Sequence, residues 1–199
     1  MKNDSLSIRW YVRANRNGIA AVIGRSLLVA ALTGLLAGLR VHLPFTPVPL
    51  TGQVIGVLLA GLLLEAKAAG LSQLLYLLIG LSGVPWFAGW TGLTAIGFLS
   101  APSAGYLLGF IPAAYLIGAM LRGRRNNFGV LLTAFCSGIV VLHFFGAWHL
   151  SAVLGTGFRR TLQLAVFPFI LFDCLKALLV ASFMTGFWPV LVRHAKKSA

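Results

Sequence analysis

Apolar residues run along this chain in long blocks. They do not alternate, as the positions of a half-buried strand or surface helix would. Six blocks can be drawn, at roughly 21–43, 51–64, 68–82, 104–121, 128–148 and 165–192. A helix that is apolar on every side is either buried in a large core or spans a membrane, and about 20 residues are needed to cross a bilayer. The second and third blocks fall short of that length, so neighbouring loops or protein must complete their cover. The pattern predicts an all-α integral membrane protein with six transmembrane helices. It divides into a basic N-terminal segment at 1–20, a helical domain at 21–192 and a basic tail at 193–199.

The two longest interruptions are unusual. In "RVHLPFTPVPLTGQ", 40–53, three prolines (Pro44, Pro47 and Pro49) remove backbone donors and forbid continuous helix. "GVPWFAGWTGLTAIGFLSAPSAGY", 83–106, is rich in glycine and aromatic residues and too apolar for an ordinary wet loop. Irregular backbone survives at membrane depth only where protein or a cavity covers it. The two connections read either as interfacial loops with a tryptophan belt or as lids folded over an outward-facing pocket.

Composition supports a membrane protein: hydrophobic residues make up 59 % of the 199 and charged ones only 10 %, against about 25 % charged in an average soluble domain. Sixteen Lys and Arg against three Asp and Glu give a net charge of +13. Those cations sit at the ends of apolar blocks, not in a tract that could follow a phosphate backbone, so anionic lipid is the expected partner and nucleic acid is not. With both termini inside, twelve basic residues fall on the inner side (among them Arg25, Lys67, Arg122, Arg124 and Arg125). Three, Arg40, Arg159 and Arg160, fall outside. That asymmetry predicts cytoplasmic termini and an even number of spans. Cys136 and Cys174 lie in apolar blocks without a paired or C-x-x-C spacing, and read as small buried hydrophobes. The first block reads as a retained helix and not a cleaved signal peptide.

Against this background Asp173 and Lys176, inside the last block, need an explanation, because an ionisable residue within a span is costly and is by default a functional candidate. Three residues apart, they share one helix face about 4.5 Å apart along the axis. They form either a structural ion pair or a recognition pair for a polar ligand. A carboxylate offers acceptors and an ammonium donors, so together they suit a group with both N–H and C=O, such as a cyclic urea or amide. Trp86, Phe87, Trp90, Phe98 and Tyr106 crowd the outer connections and read equally as an aromatic belt or as walls of a small-molecule pocket. Ala30, Gly34 and Gly38 form a small-residue stripe in the first block, suited to internal packing or to docking of another membrane protein. His42, His143, His149 and His194 have no metal-ligand spacing and are expected to be structural, so no metal and no cofactor is implied. No G-x-x-x-x-G-K-[ST] loop occurs, and nucleotide hydrolysis would have to come from another chain. An intramembrane enzyme using Asp173 with Lys176 or His143 as acid and base is the alternative of a different class, without a nucleophile or metal set to support it.

Four stretches, in order, carry a resemblance. "PVPLTGQVIGVLLAGLLL", 47–64, resembles the P-V-P-x-T-x-Q signature that opens the second helix of BioY proteins. These are the biotin-specific substrate-binding (S) components of energy-coupling factor (ECF) transporters. "YLLIGLSGVPWF", 76–87, "APSAGYLLGF", 101–110, and "FDCLK", 172–176, resemble three further stretches of that family. The departures are Gly52, Trp86, Ala101, Ser103, Ala104 and Phe172, with Glu65 near a position where the family commonly has Gly. The resemblance implies a six-helix ECF S-component fold in the bacterial inner membrane. It also implies a pocket near the outer face, capped by the two unusual connections. It makes Asp173 and Lys176 biotin contacts, with Lys176 donating either to the ureido C=O or to the valerate carboxylate. Thr51 and Gln53 of the signature, Tyr106, and the aromatic residues Trp86, Phe87 and Trp90 join them as candidate contacts. It further implies a scaffold membrane subunit and ATP-binding subunits as partners, for which the small-residue stripe at Ala30, Gly34 and Gly38 is the expected docking place. An S component for a different vitamin is the alternative within this class.

Overall fold

The computed structural model describes residues 18–92 and 95–187. The expected N-terminal segment, up to residue 17, and the basic tail at 193–199 lie outside the described residues. Helix α1 spans Ile19–Ala37, and a two-residue antiparallel pair follows, β1 (Arg40–Val41) and β2 (Leu50–Thr51), with Arg40 opposite Thr51. Next come α2 (Gln53–Leu63), α3 (Ala66–Leu81), a short α4 (Ala95–Ser100), α5 (Ala104–Met120), α6 (Phe128–Leu154), α7 (Phe158–Ala165) and α8 (Phe167–Ser182). A π-helical turn at Phe183–Phe187 extends α8.

Three helical stretches, Ile19–Ala37, Phe128–Leu154 and Phe167–Gly186, are long and apolar enough to cross a membrane; α2, α3 and α5 are apolar but shorter. The remaining departures from the expected blocks have local causes. The first block stops at Ala37, because the chain turns there into the β1–β2 hairpin. The fifth runs past 148 to Leu154, and is closed by Gly155, whose left-handed φ of 62° favours a residue without Cβ. Its other end is fixed by Asn127, whose Oδ1 accepts from the Val130 N–H at 3.0 Å. The last block, expected as one helix over 165–192, is broken at Val166 (φ −121°, ψ −58°), next to Pro168 in the first turn of α8.

The core lies where α2 and α5 are enclosed by α1, α3, α6 and α8. α5 and α6 meet through glycines. A Cβ on Gly109 would lie 2.9 Å from the Phe145 Cβ and 3.0 Å from the Leu142 Cα, so only hydrogen fits there. Outward, Leu28, Leu35, Val140, Phe144, Leu171 and Leu179 stand exposed. An apolar mantle of this extent is what bilayer hydrocarbon covers.

The stripe of Ala30, Gly34 and Gly38 faces inward. Ala30 is fully buried, while a Cβ on Gly34 would meet the Trp86 ring at 3.0 Å and one on Gly38 the Trp90 ring at 2.7 Å. Of the two readings of this stripe, packing within the chain is what these contacts show, with the second connection lying over Gly34 and Gly38.

Gly109→Leu is expected to force α5 and α6 apart and to cost about 1–3 kcal/mol, as overpacking does. Gly24→Leu on α1, where a Cβ meets nothing within 4 Å, should change little. Thermal unfolding of the two variants in detergent checks the contrast.

Candidate ligand-binding site

Pro168 shapes one wall of the site. Proline has no N–H, so the Leu164 carbonyl lacks its usual helical donor, and the Thr46 hydroxyl donates to it instead, at 2.7 Å. The Phe169 N–H donates to Val166 O at 3.0 Å, which leaves the Ala165 carbonyl open as well. The Tyr106 hydroxyl from α5 donates to that oxygen, and His143 Nδ1 of α6 lies 3.3 Å from it. A buried carbonyl without partners would be expensive; here the break is satisfied from the first connection, α5 and α6 together.

One turn further along α8, Asp173 is 2 % exposed. Lys176 Nζ donates to its Oδ1 at 2.7 Å and also to the Thr51 carbonyl at 2.8 Å. His143 Nε2 lies 3.1 Å from the other oxygen, Oδ2. Each carboxylate oxygen thus has one partner, and the i, i+3 spacing of Asp173 and Lys176 is realised as a close ion pair.

These groups line a cavity of about 370 Å³. Its apolar surface includes Val48, Leu50, Phe87, Leu107, Phe110 and Phe169. Its polar groups include Asp173, Lys176, His143, Gln53, Thr51, Tyr106 and, on the side of the two connections, Arg40. Mostly apolar walls with a few convergent polar groups are the usual make-up of a small-molecule pocket. Pro47, Val48 and Pro49 of the first connection and Phe87, Ala88, Thr91 and Gly92 of the second all face it.

A hydrogen-bonded relay joins the two connections behind the wall. The Thr51 hydroxyl donates to Gln53 Oε1 at 2.9 Å, Gln53 Nε2 donates to the Tyr76 hydroxyl at 2.7 Å, and that hydroxyl donates to the Trp86 carbonyl at 2.8 Å. Trp86 Nε1 returns a bond to the Tyr76 carbonyl at 2.9 Å. Arg40 adds a second tie, from Nη1 to the Ala88 carbonyl at 3.1 Å.

Of the residues singled out in the sequence, Asp173, Lys176, Tyr106, Phe87, Thr51 and Gln53 line the cavity. Trp86 and Trp90 do not. Trp86 packs behind the wall, its ring 5.2 Å from that of Tyr76, and Trp90 is 62 % exposed, at Gly38. Phe98 is buried outside the lining. Sequence reasoning did not place His143, Tyr76 or Arg40 among the ligand-site residues, and named His143 beside Asp173 only in the enzyme alternative. His143 is 30 residues from Asp173, so no spacing rule could pair them. Tyr76 lay within a quoted stretch, but nothing in its surroundings marked its hydroxyl as a partner for Gln53. Among the described residues no group of three or more His, Cys, Asp or Glu side chains could hold a metal ion.

Comparisons with known proteins agree with one another. A family model described as the BioY family matches residues 11–193. The biotin transporter BioY of Rhizobium etli is 36 % identical over 168 residues, covering 78 % of this chain and 87 % of that protein. The probable biotin transporter BioY of Pyrococcus horikoshii is 37 % identical over 150 residues, covering 75 % of this chain and 85 % of the relative. Among solved structures, the S-component for biotin from an ECF-type ABC transporter aligns with a TM-score of 0.75 at 28 % identity, covering 85 % of this chain and 92 % of its own.

Tyr76→Phe is expected to strand Gln53 Nε2 and the Trp86 carbonyl without their partner. The cost should be about 1–3 kcal/mol of stability, the penalty of an unsatisfied buried polar group. Thermal unfolding of the variant against wild type measures it.

Proposed function

Because the chain belongs to the BioY family, we propose that it is a biotin-uptake protein, the membrane-embedded subunit that captures biotin in the cavity beside Asp173 and releases it into the cytoplasm. The relatives named as biotin transporters and the neighbour named as the S-component for biotin support this reading. The observation that carries it is the hydrogen-bonding capacity left at the ion pair. An ionised carboxylate offers about four lone-pair directions and an ammonium three N–H donors. His143 and Lys176 each occupy one direction on Asp173, while Asp173 and the Thr51 carbonyl occupy two donors of Lys176. What remains is one acceptor direction on each Asp173 oxygen and one N–H on Lys176. The ureido ring of biotin presents the complement, two N–H donors and one C=O. The apolar walls suit the rest of its fused ring system.

On this reading the chain crosses the bacterial inner membrane six times with both termini in the cytoplasm, and the cavity opens outward. The distribution of basic residues, twelve against three, favours this orientation. The subunit hydrolyses no nucleotide itself; a transmembrane scaffold subunit and ATP-binding subunits of the ECF type supply that step.

Purified protein should bind biotin in preference to thiamine and riboflavin in equilibrium titrations, and comparable affinity for all three would overturn the assignment. Asp173→Asn and Lys176→Met should each weaken biotin binding more than about tenfold, since a hydrogen bond to a charged group contributes about 1.5–3 kcal/mol. The double variant should fold but still bind poorly; wild-type affinity there would make the pair scaffolding. Reporters fused after Arg125 and after Ala199 should read cytoplasmic, and one at Gly155 external; an external carboxyl terminus would refute the six-span reading. The purified single chain should show no ATPase activity.

A further inference from the structure

His143 is a buried polar group that the function above uses only as a neighbour of Asp173. Its side chain is 4 % exposed, and it lies between two acceptors. Nδ1 faces the Ala165 carbonyl at 3.3 Å and Nε2 faces Asp173 Oδ2 at 3.1 Å. The Ala165 carbonyl already accepts from the Tyr106 hydroxyl, so the ring can carry its hydrogen on Nε2, toward the carboxylate. The contact is attractive only if one proton lies between Nε2 and Oδ2, either on the ring or on the carboxyl.

We infer that His143 is a positioning residue of the ligand pocket: together with Asp173 it holds one proton, and that proton fixes the carboxylate for its ligand. With Lys176 on Oδ1 and the shared proton at Oδ2, the Asp173 group is restrained at both oxygens, and its remaining lone pairs are aimed. Without that hydrogen bond Oδ2 has no partner to hold it, the carboxylate turns, and the aim is lost.

Other titratable or charged groups around the imidazole are few. α5 contributes Tyr106, whose ring is 5.8 Å from that of His143 and at 86° to it, with its hydroxyl on Ala165 O. α8 contributes Asp173, Lys176 and, next in sequence, Cys174. On α6 itself Cys136 lies two turns before His143, and His149, nearly two turns after it, bonds to the Ala101 carbonyl. Arg40 stands on the cavity lining. α2 presents only the neutral Gln53, and α7 only its terminal carbonyl; Arg159 and Arg160 are on its exposed end.

The inference rests on the biotin reading only for the choice of probe. Biotin affinity and the thermal midpoint are measured for wild type, His143→Gln and His143→Leu. His143→Leu keeps bulk but offers Asp173 no donor, and should bind about tenfold more weakly than wild type. His143→Gln restores an N–H donor and should recover part of that loss. Equal affinities for the two variants at matched thermal midpoints would overturn the inference, as would wild-type affinity in His143→Leu. If wild type binds no biotin, it is the biotin reading that fails.

Discussion

A carboxylate buried among apolar helices must be held on both oxygens, or it will cost more than the fold can tolerate. Asp173 meets this condition with Lys176 from its own helix and His143 from α6. Each of those partners is tied in turn to backbone elsewhere: Lys176 to the Thr51 carbonyl at the end of β2, and His143 to the Ala165 carbonyl at the end of α7. One charged group thereby sets the relative positions of α6, α8 and the first connection. It does so at the bottom of a cavity where its spare lone pairs can meet a ligand.

Pro168 has a matching role in the backbone. Its missing N–H breaks the last apolar block and leaves two carbonyls in need of donors. Thr46 answers one, so that the first connection is fastened to α7; Tyr106 and His143 answer the other. The relay from Thr51 through Gln53 and Tyr76 to Trp86 fastens the second connection to the first. The roof of the cavity is irregular backbone, and such backbone persists at membrane depth because its polar groups are satisfied by protein. Behind it, the glycines of α5 and α6 let the helices close to a spacing that no side chain would permit.

Long apolar blocks, sparse charge and the gathering of Lys and Arg at the block ends determined a helical membrane protein from the sequence alone, because a bilayer imposes those patterns on any chain that spans it. The i, i+3 placement of Asp173 and Lys176 was legible for the same kind of reason, since helix geometry alone puts them on one face. Short motifs around Thr51, Gln53 and Tyr106 identified the family. What lay beyond the sequence was every relation between elements distant in the chain. His143 looked like a structural histidine until α6 was packed against α8. Trp86 and Trp90 read equally as belt or pocket wall until the second connection folded over Gly34 and Gly38, which sets both rings outside the cavity lining. Helical and bilayer periodicities act over a few residues and can be read locally. Which hydrogen-bonding group meets which across the bundle depends on packing, and only the tertiary structure decided it.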